Sequence, residues 1–413
     1  MSAAPGSVRK LSDRPWLVVL GSALALTVGN GPIMQFTFGV FLKPLTKAFH
    51  VERGMGSLAL TIGLLATALT LPIAGKLADH LGAKRLGLIA VILFAVELAA
   101  AGLYSTSIWT FMAMFAAAGM AAAGQTPLVY LKAISARTDR GRGFALAVAM
   151  TGVGIGSIAT PLIAQRLIDD FGWRGAYAGL AALLLLVATP SLLLFIPDKQ
   201  ADGAEPETGS PPVEQPGLTP VEALREKRFW LLVGCLFLGA AAANGTIAHV
   251  APLLTDRGVP AAQAASVLSV FGAAAIVGRL LGGYLIDRIW APLIATVFSA
   301  GMIGGIGILL VARTPGEATC ATILLGLGLG LEADLVGFLV SRYLGTRAFG
   351  TLFGYAFASF MLGSSLGPIA MGAVFDATNS YALCQIAFMA CAALAAIGLL
   401  AMGRYAYPAR PFA

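Results

Sequence analysis

Arg279 interrupts the apolar run AASVLSVFGAAAIVGRLLGGYLIDR, where a charge is costly unless it meets a partner or lines a cavity. Its guanidinium offers five donors in a planar fork matched to the two oxygens of a carboxylate, and it keeps its proton at any physiological pH. The chemistry it suits is reversible capture of an organic anion. The plainer alternative is a structural ion pair with Glu332, Asp334 or Glu97. Two related stretches supply further polar groups inside apolar runs: NGPIMQ at 30–35 and NGTIAH at 244–249. They align when the two halves of the chain are slid over each other, which puts Asn30 opposite Asn244 and Gln35 opposite His249. Asn-Gly, followed by Pro32 in the first half, is expected to loosen the helix and free backbone groups that only a cavity or a neighbouring helix can satisfy. His249 is a candidate proton carrier and site residue, and Gln35 and Asn30 are candidate lining residues.

Glu332 and Asp334 form a second group deep in an apolar run. Two residues apart on a helix is a rotation of roughly 200°, so they point to opposite sides and form no carboxylate pair. The internal repeat puts Gln125 opposite Glu332, which favours Glu332 as the member facing a path, and either acid is a candidate proton carrier. Tyr130 lies near Gln125 and is a further candidate lining residue. Cys235, Cys320, Cys384 and Cys391 lack metal-ligand spacing, and the three histidines show no HxxxH-type pairing, so no metal or cofactor is expected. No nucleophile, base and orienting group occur together, so catalysis is not expected either.

With 58% hydrophobic and 11% charged residues, the 413-residue chain is an integral membrane protein. Twelve runs between residues 16 and 403 reach the roughly 20 apolar residues that a crossing needs. Nineteen of the 27 Lys and Arg residues fall on one side of the resulting topology and seven on the other, which predicts cytoplasmic termini. The net charge of +7 is then a consequence of topology and gives no reason to expect nucleic-acid binding. Residues 197–228 begin with the one long polar stretch, rich in Pro, Glu and Gly, and are expected to link two six-helix bundles, 1–196 and 229–413. Gly75 and Asp79 of GKLADHLGAKR recur as Gly283 and Asp287 of GGYLIDR, and Pro161 and Asp170 recur as Pro368 and Asp376. Parallel repeats of this kind place a substrate path at their pseudo-two-fold interface.

GKLADHLGAKR resembles the signature loop of the major facilitator superfamily, and the twelve runs, the linker and the GGYLIDR echo agree with it. Within that superfamily, QFTFGVFLKPL at 35–45, the stretch from GRGFALAVAM to DDFGWRGAY at 141–177, GRLLGGYLIDR at 278–288 and residues 331–381 resemble the monocarboxylate and oxalate/formate porter group. The resemblance implies an all-α membrane fold of twelve helices in two pseudo-symmetric bundles. It also implies that Arg279 binds the substrate carboxylate, that His249 lines the site, and that Asp79, Arg85, Asp287 and Arg288 hold a cytoplasmic gate. Three positions depart from relatives. The aspartate of animal lactate carriers one turn before the arginine is Ala275 here, their helix 1 lysine is missing from 36–39, and residues 348–375 lack the helix 11 lysine of oxalate carriers. The expectation is a monomeric bacterial inner-membrane symporter that moves a small organic monocarboxylate with a proton by alternating access. Lactate- or pyruvate-like acids come first, and aromatic acids close behind because Phe36, Phe38, Tyr130, Phe357 and Phe360 are available to line a pocket. The alternatives are an organic-anion exchanger, a proton-driven exporter of apolar cations, which Arg279 disfavours, and a receptor or scaffold on the same fold.

Overall fold

The structure, a computed structural model, describes residues 15–127, 142–196, 217–345 and 347–407, together with Tyr130 and Ile134. Helix α1 (Pro15–Thr27) passes through a π-helical turn (Gly31–Phe36) into α2 (Phe38–Phe49); α3 (Arg53–Leu81), α4 (Ala83–Leu103) and α5 (Ile108–Ala122) follow, α5 ending in a 3₁₀ turn at Ala123–Gln125. Then come α6 (Arg142–Phe195), the short α7 (Pro220–Arg225), α8 (Lys227–Asp256), α9 (Ala261–Ile286), α10 (Ala291–Val311), α11 (Pro315–Tyr343), α12 (Phe349–Thr378) and α13 (Ala382–Ala401). Among the described residues, ten helices are long and apolar enough to cross a membrane, and α11, bent by 42°, is an eleventh. One of the ten, Val148–Phe195, is 48 residues long, and it turns at Gly172, whose φ of 69° a side chain would resist. At about 1.5 Å per residue it is twice the length of one crossing, so it makes two, and twelve crossings result. Most of the expected linker, 197–216, lies outside the described residues. Its end is anchored: Leu218 N–H donates to Leu344 O, and Thr219 and Glu222 form a capping box on α7.

The two Asn-Gly sequences behave differently. In the first half the helix does loosen: Pro32 brings no N–H, and the turn around it widens into the π-helical segment. The loosening expected at Asn244–Gly245 does not occur, because α8 runs unbroken from Lys227 to Asp256. The Asn244 amide donates to Ala240 O and to Ser364 Oγ, both at 3.0 Å, so its polar group is satisfied without opening the helix. Gly245 serves packing: a Cβ there would meet the Phe388 ring and, at 2.8 Å, Gly367 O.

Small residues set the helix contacts throughout. A Cβ on Gly119 would collide with Gly63 O, one on Gly152 with Ala23 O, one on Gly278 with Leu327 O, and one on Gly363 with Phe237 O. Hydrocarbon gives no hydrophobic drive for helices to associate, so this close backbone approach, with its dispersion contact, holds the bundle together. The largest buried apolar cluster fills the first half and crosses into the second through Ile247, Val250, Leu254, Leu268, Phe271, Ala321 and Leu325. A separate cluster, including Phe229, Leu232, Leu339, Tyr343, Leu352 and Leu399, fills the part of the second half nearest the chain termini. The halves therefore share a core away from the termini and keep separate cores towards them. The Gly152→Leu variant is expected to lose more than about 3 kcal/mol, because the obstructing atom is backbone and cannot rotate away. Loss of a monodisperse detergent-solubilised peak, or a fall in its thermal midpoint, would register this, and an unchanged midpoint would contradict the packing described.

Candidate substrate path

At the end of the bundle remote from the termini, the two halves are latched. The guanidinium of Arg53, at the start of α3, pairs with both carboxylate oxygens of Asp256 at the end of α8 and also donates to Tyr381 Oη. Lys43 Nζ lies 2.7 Å from Asp256, and Arg53 stacks 3.8 Å over the Phe375 ring. Asp376 of α12 reaches across and accepts from the backbone N–H of both Arg53 and Gly54. It thereby caps the N-terminus of α3 from the opposite half, satisfying orphan donors where the helix dipole favours an anion. Two cations and two carboxylates balance in this layer.

Below the latch lie buried polar contacts. Ser57 Oγ is 3.2 Å from His249 Nε2, and His249 Nδ1 is 3.2 Å from Gly245 O. A carbonyl only accepts, so Nδ1 carries the proton, and Nε2 of the neutral ring accepts from Ser57. Thr61 donates to Ser365 O, and Gln35 donates to Asn244 Oδ1, which completes a chain from α1–α2 through α8 to Ser364 of α12. Phe36 and Phe271 meet across the halves at this level, with ring centroids 5.9 Å apart.

Helix α9 crosses α6 and turns a definite face to the path. Ser269 donates to Ile158 O, a Cβ on Gly272 would meet Ser157, and Ile276 fills the space over Gly154, so these three residues face α6. Gly278 and Gly282 face α11 at Leu327 and Leu331. Val277, Leu280, Leu281 and Tyr284 are exposed and mark the lipid side. At about 100° per residue, Arg279 projects between the α6 and α11 stripes and roughly opposite the lipid stripe. It is half-buried, and its backbone N lies 2.9 Å from where a Cβ on Gly330 of α11 would stand. Eight residues separate it from Phe271, so it sits about 12 Å from the Phe36–Phe271 contact on the side of the termini.

The comparisons with known proteins decide the family. Residues 16–368 match the Major Facilitator Superfamily. The chain belongs to that superfamily. Among similar proteins, mouse monocarboxylate transporter 11 is 26% identical over 402 residues, covering 92% of this chain and 85% of its own length. The human protein of that name is 30% identical over 265 residues, covering 61% of this chain and 54% of its own length. In three dimensions the chain is similar to a bacterial homologue of the lysosomal transporter Spinster, crystallised inward-facing and unoccupied (TM-score 0.67, 19% identity, covering 96% of this chain and 95% of that one). Nucleoside transporter NupG is also similar (TM-score 0.71, 15% identity, covering 94% of this chain and all of the other).

On this facilitator scaffold the residues singled out by sequence separate into three places. Gln35, Asn244 and His249 meet at the interface of the halves. Arg279 stands apart from His249: counting helical rise through the Gln35–Asn244 level, they are on the order of 20 Å apart. Glu332, expected to face the path, does not. Its Oε1 lies against Gly239 of α8, its Oε2 is buried without a hydrogen-bond partner, and the small cavity around it is lined by Cys235, Phe298, Ser299, Ala395 and Leu399 inside the second half. Gln125 and Tyr130 are likewise turned inward, expected as lining but fully buried in the first half: Gln125 donates to Gly87 O at 2.9 Å and accepts from Tyr130 Oη at 2.6 Å. The repeat relates Gln125 to Glu332 correctly in position, yet both face their own bundle. Asn30 also points within its half, its amide 3.4 Å from Thr67 Oγ1. The side chains of Asp334 and Asp79 lie outside the described residues. Arg85 and Asp287 are exposed, and Arg288 folds back over the Tyr284 ring at 3.6 Å.

Sequence reasoning missed the latch itself, Arg53, Asp256, Lys43 and Tyr381, because nothing in a linear reading pairs charges from loops some 200 residues apart. Asp376 was the available signal, since the repeat marks it while its counterpart Asp170 is exposed. The Asp256→Asn variant is expected to loosen the latch. In a cysteine-free background, labelling of Ser57→Cys by a membrane-impermeant maleimide should quicken about threefold to tenfold, as removing roughly 1 kcal/mol from one side of a two-state balance requires. Unchanged labelling would remove Asp256 from the closure.

Proposed function

We propose that this protein is a secondary transporter of small organic monocarboxylates, driven by a proton gradient and working by alternating access. The observation that carries the reading is Arg279: a fixed cation on the protein-facing stripe of α9, below a sealed interface and on the side where the halves keep separate cores. A planar guanidinium in a weakly polarisable cavity binds a carboxylate far more strongly than it does in water, and it releases it when the cavity hydrates. The similarity to proteins named monocarboxylate transporters supports the same substrate class. The location that fits is a bacterial inner membrane with cytoplasmic termini, so that the latched end is external and the arrangement is the inward-open one. His249 suits the proton step. Protonation of Nε2 turns an acceptor into a donor at the Ser57 contact, so proton uptake acts directly on the polar layer that joins the halves. Glu332 is less suited, being directed away from the interface.

The experiment is uptake of radiolabelled acetate, lactate, pyruvate and succinate by purified protein in proteoliposomes, with and without an inward proton gradient. Gradient-driven monocarboxylate uptake is expected in the wild type, with a loss of at least about a hundredfold in Arg279→Ala, since a charge-assisted hydrogen bond to a desolvated carboxylate is worth roughly 3 kcal/mol. Gradient-independent exchange would assign an exchanger instead, and full activity of Arg279→Ala would remove the anion site. In His249→Gln the gradient should no longer drive accumulation while exchange of substrate across the membrane continues. Retained accumulation would take the proton away from His249.

A further inference from the structure

Where α10 begins and α13 ends, at the end of the bundle nearest the chain termini, lies an open cavity of about 530 Å³ lined by Trp290, Gly403, Arg404 and Tyr405. Hydrogen bonds fix its walls. Tyr405 Oη accepts at 2.8 Å from the N–H of Ala291, an orphan donor of the first turn of α10, and Tyr343 Oη donates to Gly403 O at 2.6 Å. Tyr407 N–H donates to Arg342 O at 2.9 Å, which ties the segment after α13 to the end of α11. The Tyr343 and Tyr405 rings meet edge to face, with centroids 5.4 Å apart.

Cations gather around these two rings. The Arg342 guanidinium lies 5.1 Å from the Phe338 centroid and 5.9 Å from that of Tyr405, Arg228 lies 6.0 Å from Tyr343, and Arg404 is exposed in the cavity wall. Among the described residues, none of the three pairs with a carboxylate. A guanidinium held over an aromatic face keeps the N–H donors at its edge open to an arriving anion, and its planar fork matches a phosphate.

The cavity continues into the lipid-facing surface. Trp290 and Gly403 share its wall, and deeper in, Thr296 Oγ1 of α10 lies 3.4 Å from Ala396 O of α13, so the two helices run antiparallel along a common seam. At about 100° per residue, Leu293 and Val297 of α10 and Ile397 and Leu400 of α13 fall on the same side of that contact, and all four are exposed. An apolar groove therefore leads up to a cationic mouth. That is the outline of a phospholipid, with an acyl chain along the seam, the glycerol in the cavity, and the phosphate at Arg404 and Arg342. A free phosphate would leave the groove uncovered.

We propose that this cavity binds one anionic phospholipid of the phosphatidylglycerol kind, in the leaflet on the side of the termini, which is the inner leaflet in the orientation proposed above. The site draws on no part of the substrate or coupling reading. Basic pockets between membrane helices take anionic headgroups, and Trp and Tyr sit at headgroup level, where Trp290 and Tyr405 stand here.

The test is tryptophan fluorescence of the full chain in phosphatidylcholine nanodiscs that contain a minor fraction of phosphatidylglycerol with chains brominated near the headgroup. Bromine quenches only tryptophans in contact with it, and the difference between wild type and Trp290→Phe isolates the Trp290 signal. Brominated phosphatidylglycerol should quench Trp290 with at least about fivefold higher apparent affinity than brominated phosphatidylcholine, because one basic residue near an anionic headgroup contributes about that factor. Arg404→Gln should lower the preference about fivefold, the double variant Arg342→Gln/Arg404→Gln should abolish it, and Arg404→Lys, which keeps the charge, should retain most of it. Arg342 packs on two rings and its removal risks the local fold, whereas Arg404 is exposed, so Arg404→Gln against Arg404→Lys decides the matter, with an unchanged thermal midpoint in pure phosphatidylcholine as the control. Equal quenching by the two lipids, or a preference unchanged in Arg404→Gln, would overturn the proposal. Displacement of the lipid by millimolar inorganic phosphate would overturn it too, since the site would then be one for a free anion.

Discussion

A guanidinium inside an apolar helix fixes which way that helix must face. With hydrocarbon on one side of α9, Arg279 has to look into the protein, and that choice sets the rotation of the whole helix. Once it is set, Gly278 and Gly282 fall against α11, Gly272 falls against α6, and the exposed leucines fall towards lipid. The glycines are the complement of the arginine: they let neighbouring backbones close against the other faces of the helix.

The second constraint is the unequal treatment of the two ends. Away from the termini, carboxylates of the second half satisfy backbone donors and cations of the first, and a shared apolar core lies beneath them. Towards the termini, each half keeps its own core. In the alternating access proposed for this bundle, the contacts that seal one end cost desolvation and order, and they are broken when the other end closes. The polar layer of Gln35, Asn244, Ser57 and His249 lies between the two regimes, where a change in one proton or one hydrogen bond touches both halves at once.

Pseudo-symmetry explains some of the structure and misleads about the rest. The repeat relates Asn30 to Asn244 and Gln125 to Glu332, and in each pair the position along the helix corresponds. The local outcomes diverge. Pro32 widens the first-half helix into a π turn, whereas Asn244 and Gly245 are absorbed into a regular one by the Ala240 and Ser364 contacts and by Phe388. An equivalent position also says nothing of facing: Gln125 and Glu332 share a place in the repeat, and both turn into their own bundle.

Hydropathy and the repeat were enough to read twelve crossings, because the cost of charge and open backbone in hydrocarbon is a property of sequence alone, and the likeness of GKLADHLGAKR to a signature loop was enough to read the superfamily. What only the tertiary structure decided was facing and partnership. Helical periodicity in a chain apolar on nearly all sides carries little directional signal, so the inward turn of Glu332, Gln125 and Tyr130 depended on which helices packed beside them. The latch of Arg53, Lys43, Asp256, Asp376 and Tyr381 joins residues as much as 328 positions apart. Such distances are set by packing, which a linear pattern does not encode.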